Sequence, residues 1–330
     1  MHLARAALTP LPTNPERVAD SALADSLTGQ LAALALDFAP STLYPQKLAA
    51  SCFIPLLSAA APGFTKHMST NTIAVHLPDG AIREVPSGTT PLEIANSISL
   101  RLAAASIAAR IAPVTAPAIP SPATGDQPHG ESASEASMYA AEGAAAPRLV
   151  DLSAPLTSDT RLELVKENDP DALKIVRHSA AHVLATAVLE LFPETKLGHG
   201  PATDSGFFYD FYREKPFTPE DLVAIEAKMA EVVARNEPFI REYEPREQAL
   251  EEFARDGDFM KIHFVTKFTA PGDQVSFYRN GNFVDFCRGP HVPSTGRVKA
   301  FKVTSLAGAY WLGDEKNPQL QRIHGTAFFS

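Results

Sequence analysis

The stretch Arg177-His178-Ser179-Ala180-Ala181-His182-Val183-Leu184 sits in a run whose apolar residues repeat at helical spacing. Leu173, Val176, Ala180, Val183, Leu184, Ala187, Val188 and Leu191 share one face, and Pro193 ends the run. Asp169 suits an N-cap and Pro170 the first helical position, so the pattern predicts a helix over about 170–192. His178 and His182, four apart, then project from the same side. A second pair of the same spacing, Cys287-Arg288-Gly289-Pro290-His291, spans a Gly-Pro turn after the strand-like Phe283–Phe286. Three imidazoles and a thiol in two short pairs could close one polar site. Imidazole titrates near neutral pH and is the commonest metal ligand, and a thiol is a soft ligand or a nucleophile. Three readings stay open on the residues alone: a metal-free acid/base cluster, a tetrahedral zinc site, or polar groups satisfied within a core.

The segments beyond this helix alternate between short strands and helices. Leu197-Gly198-His199-Gly200-Pro201 leads to Gly206 and the aromatic run Phe207-Phe208-Tyr209-Asp210-Phe211. Gly200 and Gly206 would let backbone approach a ligand, and the aromatics are strand-like. Thr218-Pro219-Glu220-Asp221 opens a helix with Leu222, Ile225, Met229 and Val232 on one face. A strand at Phe239–Tyr243 and a helix at Glu247–Arg255 follow. Phe259–Phe264 reads as a strand with Lys261 on a solvated face. Val275–Tyr278 and Phe283–Phe286 pair as a hairpin across Asn280-Gly281-Asn282, and Phe301–Thr304, Ala309–Leu312 and Leu320–Ile323 are further short strands. The class is α+β with antiparallel sheet.

Upstream, Ile73, Val75 and Leu77 alternate as a strand, Pro78-Asp79-Gly80 turns, and Ile82–Val85 returns. Thr90-Pro91-Leu92-Glu93 is a capping box opening an amphipathic helix through Leu102. Hairpin then helix predicts a small β-grasp module, completed by strands at Arg148–Asp151 and Arg161–Val165. Residues 112–146 interrupt it with a Pro/Ala/Ser/Gly stretch too poor in apolar residues to fold alone. Residues 1–67 have no clear period; they read as a disordered extension or as upstream sequence ahead of a natural start at Met68. The domain expectation is 68–166 for the β-grasp module and 167–330 for the α+β domain.

Composition narrows the function classes. A 330-residue chain with 45% apolar residues can build two or three cores. Its net charge of −9 gives no global basic footprint, so nucleic acid would be met through local patches or shape. The two cysteines, Cys52 and Cys287, make no disulfide framework. No apolar run reaches the length of a membrane span.

Taken together, the 177–184 motif, Gly200-Pro201, Gly206-Phe207-Phe208-Tyr209-Asp210, Cys287-Arg288-Gly289-Pro290-His291 and Ala307-Gly308-Ala309-Tyr310-Trp311 resemble the N-terminal half of bacterial threonyl-tRNA synthetases. The resemblance covers about 72–111 and 148–329. It implies a ubiquitin-like TGS domain, an editing domain, and, at about 284–329, the small domain shared by threonyl- and alanyl-tRNA synthetases. His324 stands where the family usually shows Tyr. The motifs of the aminoacylation core are not found, which reads as truncation, either biological or from gene calling. Ligase activity, ATP binding and the core zinc are therefore not expected of this chain.

By the same resemblance the reaction is hydrolysis of mischarged seryl-tRNA(Thr) in the cytoplasm, at the 3′ acceptor end. No membrane and no DNA are involved, and a separate catalytic-core polypeptide is a further candidate partner. His178 and Lys261 would orient water and steady the oxyanion, His182 and His291 would shape the polar floor and relay protons, and Cys287 would line the pocket. Asp285 would bind the substrate ammonium or ribose hydroxyls, and Tyr209 the serine or terminal adenosine. The family's editing site needs no metal. The related alanyl site is associated with zinc, for which His178, His182, Cys287 and His291 are the alternative ligand set. A non-catalytic tRNA-binding module and editing of mischarged alanine tRNA are the competing readings.

Overall fold

The first hairpin forms where alternation placed it. In the computed structural model, which describes residues 71–115 and 147–330, β1 (Thr72–His76) pairs antiparallel with β2 (Ile82–Pro86). Ile73 and Val75 face inward, and Gly80 takes φ +83° in the turn. Thr90 and Glu93 exchange both capping-box hydrogen bonds at the head of α1 (Pro91–Ile98). The extension before Met68 and the body of the 112–146 insert lie outside the described residues.

The expected helix through Leu102 breaks at Ser99, whose hydroxyl caps the short α2 (Leu100–Ala105). A strand that the sequence reading lacked then follows, β3 (Ser106–Pro113). Its run of alanines carries weak strand propensity, and burial between two neighbours decides its state. With β4 (Arg148–Val150) and β5 (Thr160–Lys166) the sheet is complete in the order β2-β1-β5-β3-β4. Only the β1–β5 pair is parallel.

The anchor helix α3 runs Ala172–Leu191, and its N-cap position is Asp171, not Asp169. Asp171 makes no side-chain cap bond; Asp169 instead accepts the backbone N–H of Asp171 at 2.9 Å while also binding Arg110 of β3. Arg110, itself buried, also reaches Asp171 and Glu163 and ties the sheet to the head of α3. Ile107, Ala108 and Val165 of that sheet join the core formed around α3.

Past α3 come β6 (Lys196–Leu197), β7 (Phe207–Tyr212), α4 (Pro219–Arg235), β8 (Ile240–Pro245) and α5 (Arg246–Arg255). Then Phe259–Phe268 is a helix, α6, where the sequence reading had a strand. Asp258 caps it by accepting from the N–H of Lys261 at 3.1 Å, and Met260, Phe264 and Val265 are buried at helical spacing. The aromatic and β-branched composition of the segment masked that period.

The hairpin β9 (Gln274–Asn280) and β10 (Phe283–Phe286) forms as read and pairs with β8. The two strands expected at 301–304 and 309–312 are one, β11 (Ala300–Tyr310), paired along its length with β12 (Gln319–Phe328). These two, β7 and β6 make the third sheet, in the order β11-β12-β7-β6. The described residues fall within one compact unit, His67–Ser330, and the class is α+β. Among them no helix is long and apolar enough to cross a membrane.

Candidate active site

Two elements distant in sequence bring the four nitrogen- and sulfur-bearing groups together. α3 presents His178 and His182, and the turn leaving β10 presents Cys287 and His291. One ligand atom from each lies within 4.8 Å of all the others. The sulfur of Cys287 is 3.3 Å from Nε2 of His178 and 3.5 Å from Nε2 of His291. The His182 and His291 ring centroids are 4.2 Å apart, and those of His178 and His291 4.3 Å apart.

Neighbouring groups fix the two pairs. Ser179, between the histidines on α3, lies 3.1 Å from Nδ1 of His291 and accepts the N–H of Val292 at 3.0 Å. Ser276 of β9 holds Cys287 from both sides: its carbonyl accepts the Cys287 N–H, and its hydroxyl donates to the Cys287 carbonyl at 2.6 Å. Phe239 stacks on His291 at 4.8 Å. Gly289 has φ +68°, and a Cβ there would overlap the hydroxyl of Tyr278, so the turn requires glycine.

Charge enters through one buried pair. Lys261 of α6 bonds Asp285 of β10 and the carbonyl of Gly198, the latter at 3.0 Å. The Tyr209 hydroxyl donates to the other oxygen of Asp285, and Nε2 of His182 stands 3.9 Å from it. Lys261 is 3% exposed, which overturns the solvated strand face expected of it. As part of a helix it points inward through one turn instead of outward from a pleat.

Burial governs the protonation of the cluster. It pushes His182 down to about 3, with the Lys261 ammonium adding to the effect. Burial and then His182 lower His178 likewise to about 3, against a smaller opposing pull from Asp285. His291 is held well below the usual imidazole range by burial and its two histidine neighbours. The Cys287 thiol is pushed up to about 12 by burial, although the Gly289 N–H at 3.3 Å favours its thiolate. Near neutral pH the four groups are therefore uncharged.

A cavity of about 280 Å³ opens onto this wall. His178, His182, Lys261, Asp285, Cys287 and Gly200 line it, and of the four clustered groups His178 alone keeps partial exposure. His291 stands behind the wall. Tyr209, fully buried, also lies off it, so its hydroxyl supports Asp285 and does not face the space assigned to a ligand. Gly206 is elsewhere: a Cβ there would overlap the carbonyl of Gly325, so the close approach is between backbones, not to a ligand. Gly200 does border the cavity, and a Cβ on it would overlap the Tyr209 ring. His199, read as loop, is buried and on the wall. A larger neighbouring cavity of about 730 Å³ shares Lys261 and Asp285 but none of the imidazoles.

The donor set fits a zinc ion. Tetrahedral bonds of about 2.1 Å place ligand atoms roughly 3.4 Å apart, close to the two Cys–His separations, while the full set lies within 4.8 Å. His182 Nδ1 is buried without a hydrogen-bond partner among the described residues. The contacts of Cys287 with His178 and His291 also hold the thiol without an ion, one ring nitrogen accepting its S–H.

Several supporting residues escaped the sequence reading, Ser179, Ser276, Tyr278 and Asp151 among them. Ser179 lay inside the quoted motif, and its position between the histidines was the available signal. Tyr278 and Asp151 carried none, because their partners are 127 and 140 residues distant.

Two family profiles match the chain. Residues 73–166 match the TGS domain, and residues 275–324 match the second additional domain of threonyl and alanyl tRNA synthetases. A threonine–tRNA ligase from Acidobacterium capsulatum is 65% identical over 258 residues, which is 78% of this chain and 38% of that protein. Threonine–tRNA ligases from Pelobacter propionicus and Rickettsia akari are 45% and 42% identical, each over 78% of this chain and 35% of the relative. The chain thus spans well under half the length of the curated relatives it matches.

Proposed function

The chain corresponds to an N-terminal portion of the threonine–tRNA ligases, and from that premise we propose that it hydrolyses the ester of seryl-tRNA(Thr) formed in error. The observation that carries this reading is the 280 Å³ cavity walled by three histidines, a thiol and a buried Lys–Asp pair. Its size lies at the lower edge of the roughly 300–1,000 Å³ common for ligand pockets. That suits an aminoacyl group with part of a ribose better than a whole nucleotide.

The reaction has a physical motive. A synthetic pocket shaped for threonine cannot keep out serine by size, and one missing methyl discriminates by only about 1–3 kcal/mol. A second pocket that admits serine and clashes with the threonine methyl supplies the remaining selectivity.

Each group has a role that its environment supports. Partly exposed His178, neutral at pH 7, accepts a proton from the attacking water. The Lys261 ammonium faces the developing oxyanion, held in place by Asp285 and the Gly198 carbonyl. Asp285 meets the substrate ammonium at the cavity edge. His182 forms the polar floor, with His291 packed behind it. Cys287, neutral with its thiol pushed to about 12, lines the pocket and is not the nucleophile. The reaction is metal-free. The substrate is the 3′ acceptor end of tRNA in the cytoplasm.

Mixing the protein with seryl-tRNA(Thr) tests the proposal. Wild type is expected to release serine and His178→Ala to lose at least about a hundredfold in rate, the scale of a lost general base. Equal rates for the two proteins would reject the site. Tight tRNA binding without serine release would replace hydrolysis by a binding role, and faster release from seryl-tRNA(Ala) would move the substrate to alanine tRNA.

A further inference from the structure

The chain leaves β4 of the β-grasp sheet at Asp151, and this residue crosses into the other module. Its Oδ1 accepts the backbone N–H of His291 at 2.9 Å, and its Oδ2 accepts the Tyr278 hydroxyl at 2.6 Å. All three residues are buried, and Asp151 lines neither cavity.

The contacts converge on the turn that carries Cys287 and His291. Ser276 fixes the start of that turn, and Ser179 fixes its end through Val292. Between them Tyr278 packs against the Cα side of Gly289, and Asp151 holds both Tyr278 and the His291 backbone. Removing the carboxylate strands two buried donors, one on each side of the turn. The supporting module is itself pinned. Arg110 bonds Asp169 and Asp171 at the head of α3, and Arg297 donates to the carbonyls of Ala104 and Ser106 at 2.6 and 3.0 Å. One end of the β-grasp contact is thus fixed to α3, and the other to the segment that follows the Cys287–His291 turn.

We propose that Asp151 is a positioning residue for the Cys287–His291 turn, so that the hydrolytic site is a composite completed by the β-grasp module. Asp151 touches no substrate; it acts by setting where His291, and through it Cys287 and His178, stand. Displacing a site by about an ångström can cost on the order of a hundredfold in rate, and a turn anchored on one side only moves on that scale.

The proposal rests on the hydrolytic reading, and the experiment separates the two. The full chain is compared as wild type, Asp151→Ala and Asp151→Asn, with folding checked by circular dichroism. Asparagine keeps the bond from the His291 N–H to its carbonyl and reverses the second, its amide donating to the Tyr278 hydroxyl oxygen, so both contacts persist while the Tyr278 proton loses its acceptor. For seryl-tRNA(Thr), kcat is expected to fall about tenfold or more in the alanine variant with KM within about twofold, and to return to within about threefold in the asparagine variant. A folded alanine variant with wild-type kcat overturns the proposal. Should that variant not fold, Tyr278→Phe takes its place, with kcat expected to fall about threefold; an unchanged rate overturns the proposal equally.

Wild type without hydrolysis defeats the functional reading alone. Imidazole ¹H–¹⁵N signals then decide on Asp151. Displaced His291 and His178 signals in the alanine variant, matched to wild type in the asparagine variant, support the positioning role, and unmoved signals overturn it.

Discussion

Replacing Lys261 by methionine tests whether the charged pair is as buried as it stands. The substitution keeps the length of the side chain and removes the ammonium. Asp285 would then sit in a site where its own side chain is 4% exposed, with the Tyr209 hydroxyl as its remaining close partner. Two opposite charges within 4 Å attract by about 4 kcal/mol at an effective dielectric constant of 20, and removing one partner of a buried pair costs about 3–5 kcal/mol. Against a total stability of about 5–15 kcal/mol this is about a fifth or more. With a urea m-value of about 2 kcal/mol/M, the unfolding midpoint should drop by roughly 1.5–2.5 M. The double variant Lys261→Met with Asp285→Asn removes both charges and leaves an acceptor for Tyr209, so it should recover at least about 2 kcal/mol relative to the sum of the singles. A solvated lysine would behave otherwise: the single substitution would stay within about 0.5 kcal/mol and the coupling would vanish. That result would refute the buried-pair assignment and the oxyanion role given to Lys261.

The histidines make stability depend on acid. His178 and His182 are held at about 3 and His291 well below its usual range, against 6.5 for each when unfolded. The unfolded chain therefore binds more protons below pH 6.5, so this stability is present above pH 6.5 and is lost as pH falls toward the folded values. The loss approaches about 1.4 kcal/mol per pH unit for each histidine, and urea titrations at pH 7.5, 6 and 5 should show it reduced when one of the three is replaced. Gly200→Ala should destabilise by about 1–3 kcal/mol and lower hydrolysis, because the new Cβ displaces the Tyr209 ring that supports Asp285; wild-type stability and rate would remove that link. Treatment with a chelator followed by dialysis should leave serine release unchanged, and loss of activity restored by zinc would assign the His178, His182, Cys287 and His291 set to a metal.

What the sequence made legible was local. The capping boxes at Thr90 and Thr218, the 274–286 hairpin and the anchor helix each declare themselves within a few residues through spacing and turn chemistry. Both halves of the cluster were legible for the same reason, since four-residue spacing is visible in each pair. The errors arose where a distant partner decided. Ser106–Pro113 becomes a strand because β5 and β4 flank it, despite its alanines. Lys261 was placed on the wrong kind of element because Phe259, Ile262 and Phe264 match a strand by composition, and only the Asp258 cap marked a helix start. Asp151 could not be read at all, because nothing near it shows that it serves a turn 140 residues away.

The electrostatics of the pocket decide how labour is divided on the proposed reading. Four groups that usually provide reactivity, three imidazoles and a thiol, are kept neutral by burial, and the buried fixed charge at the wall comes from Lys261 and Asp285. A thiol pushed to about 12 offers almost no thiolate at neutral pH, which argues against a covalent acyl intermediate on Cys287. Neutral His178 can accept a proton from water but makes a poor store for it, because burial and His182 oppose the imidazolium. The proton must therefore pass onward within the same step, and the leaving ribose oxygen is the acceptor that ester cleavage generates. Direct attack by water with concerted proton transfer fits this wall, whereas a two-step route through a charged enzyme intermediate would require the site to stabilise what its burial disfavours.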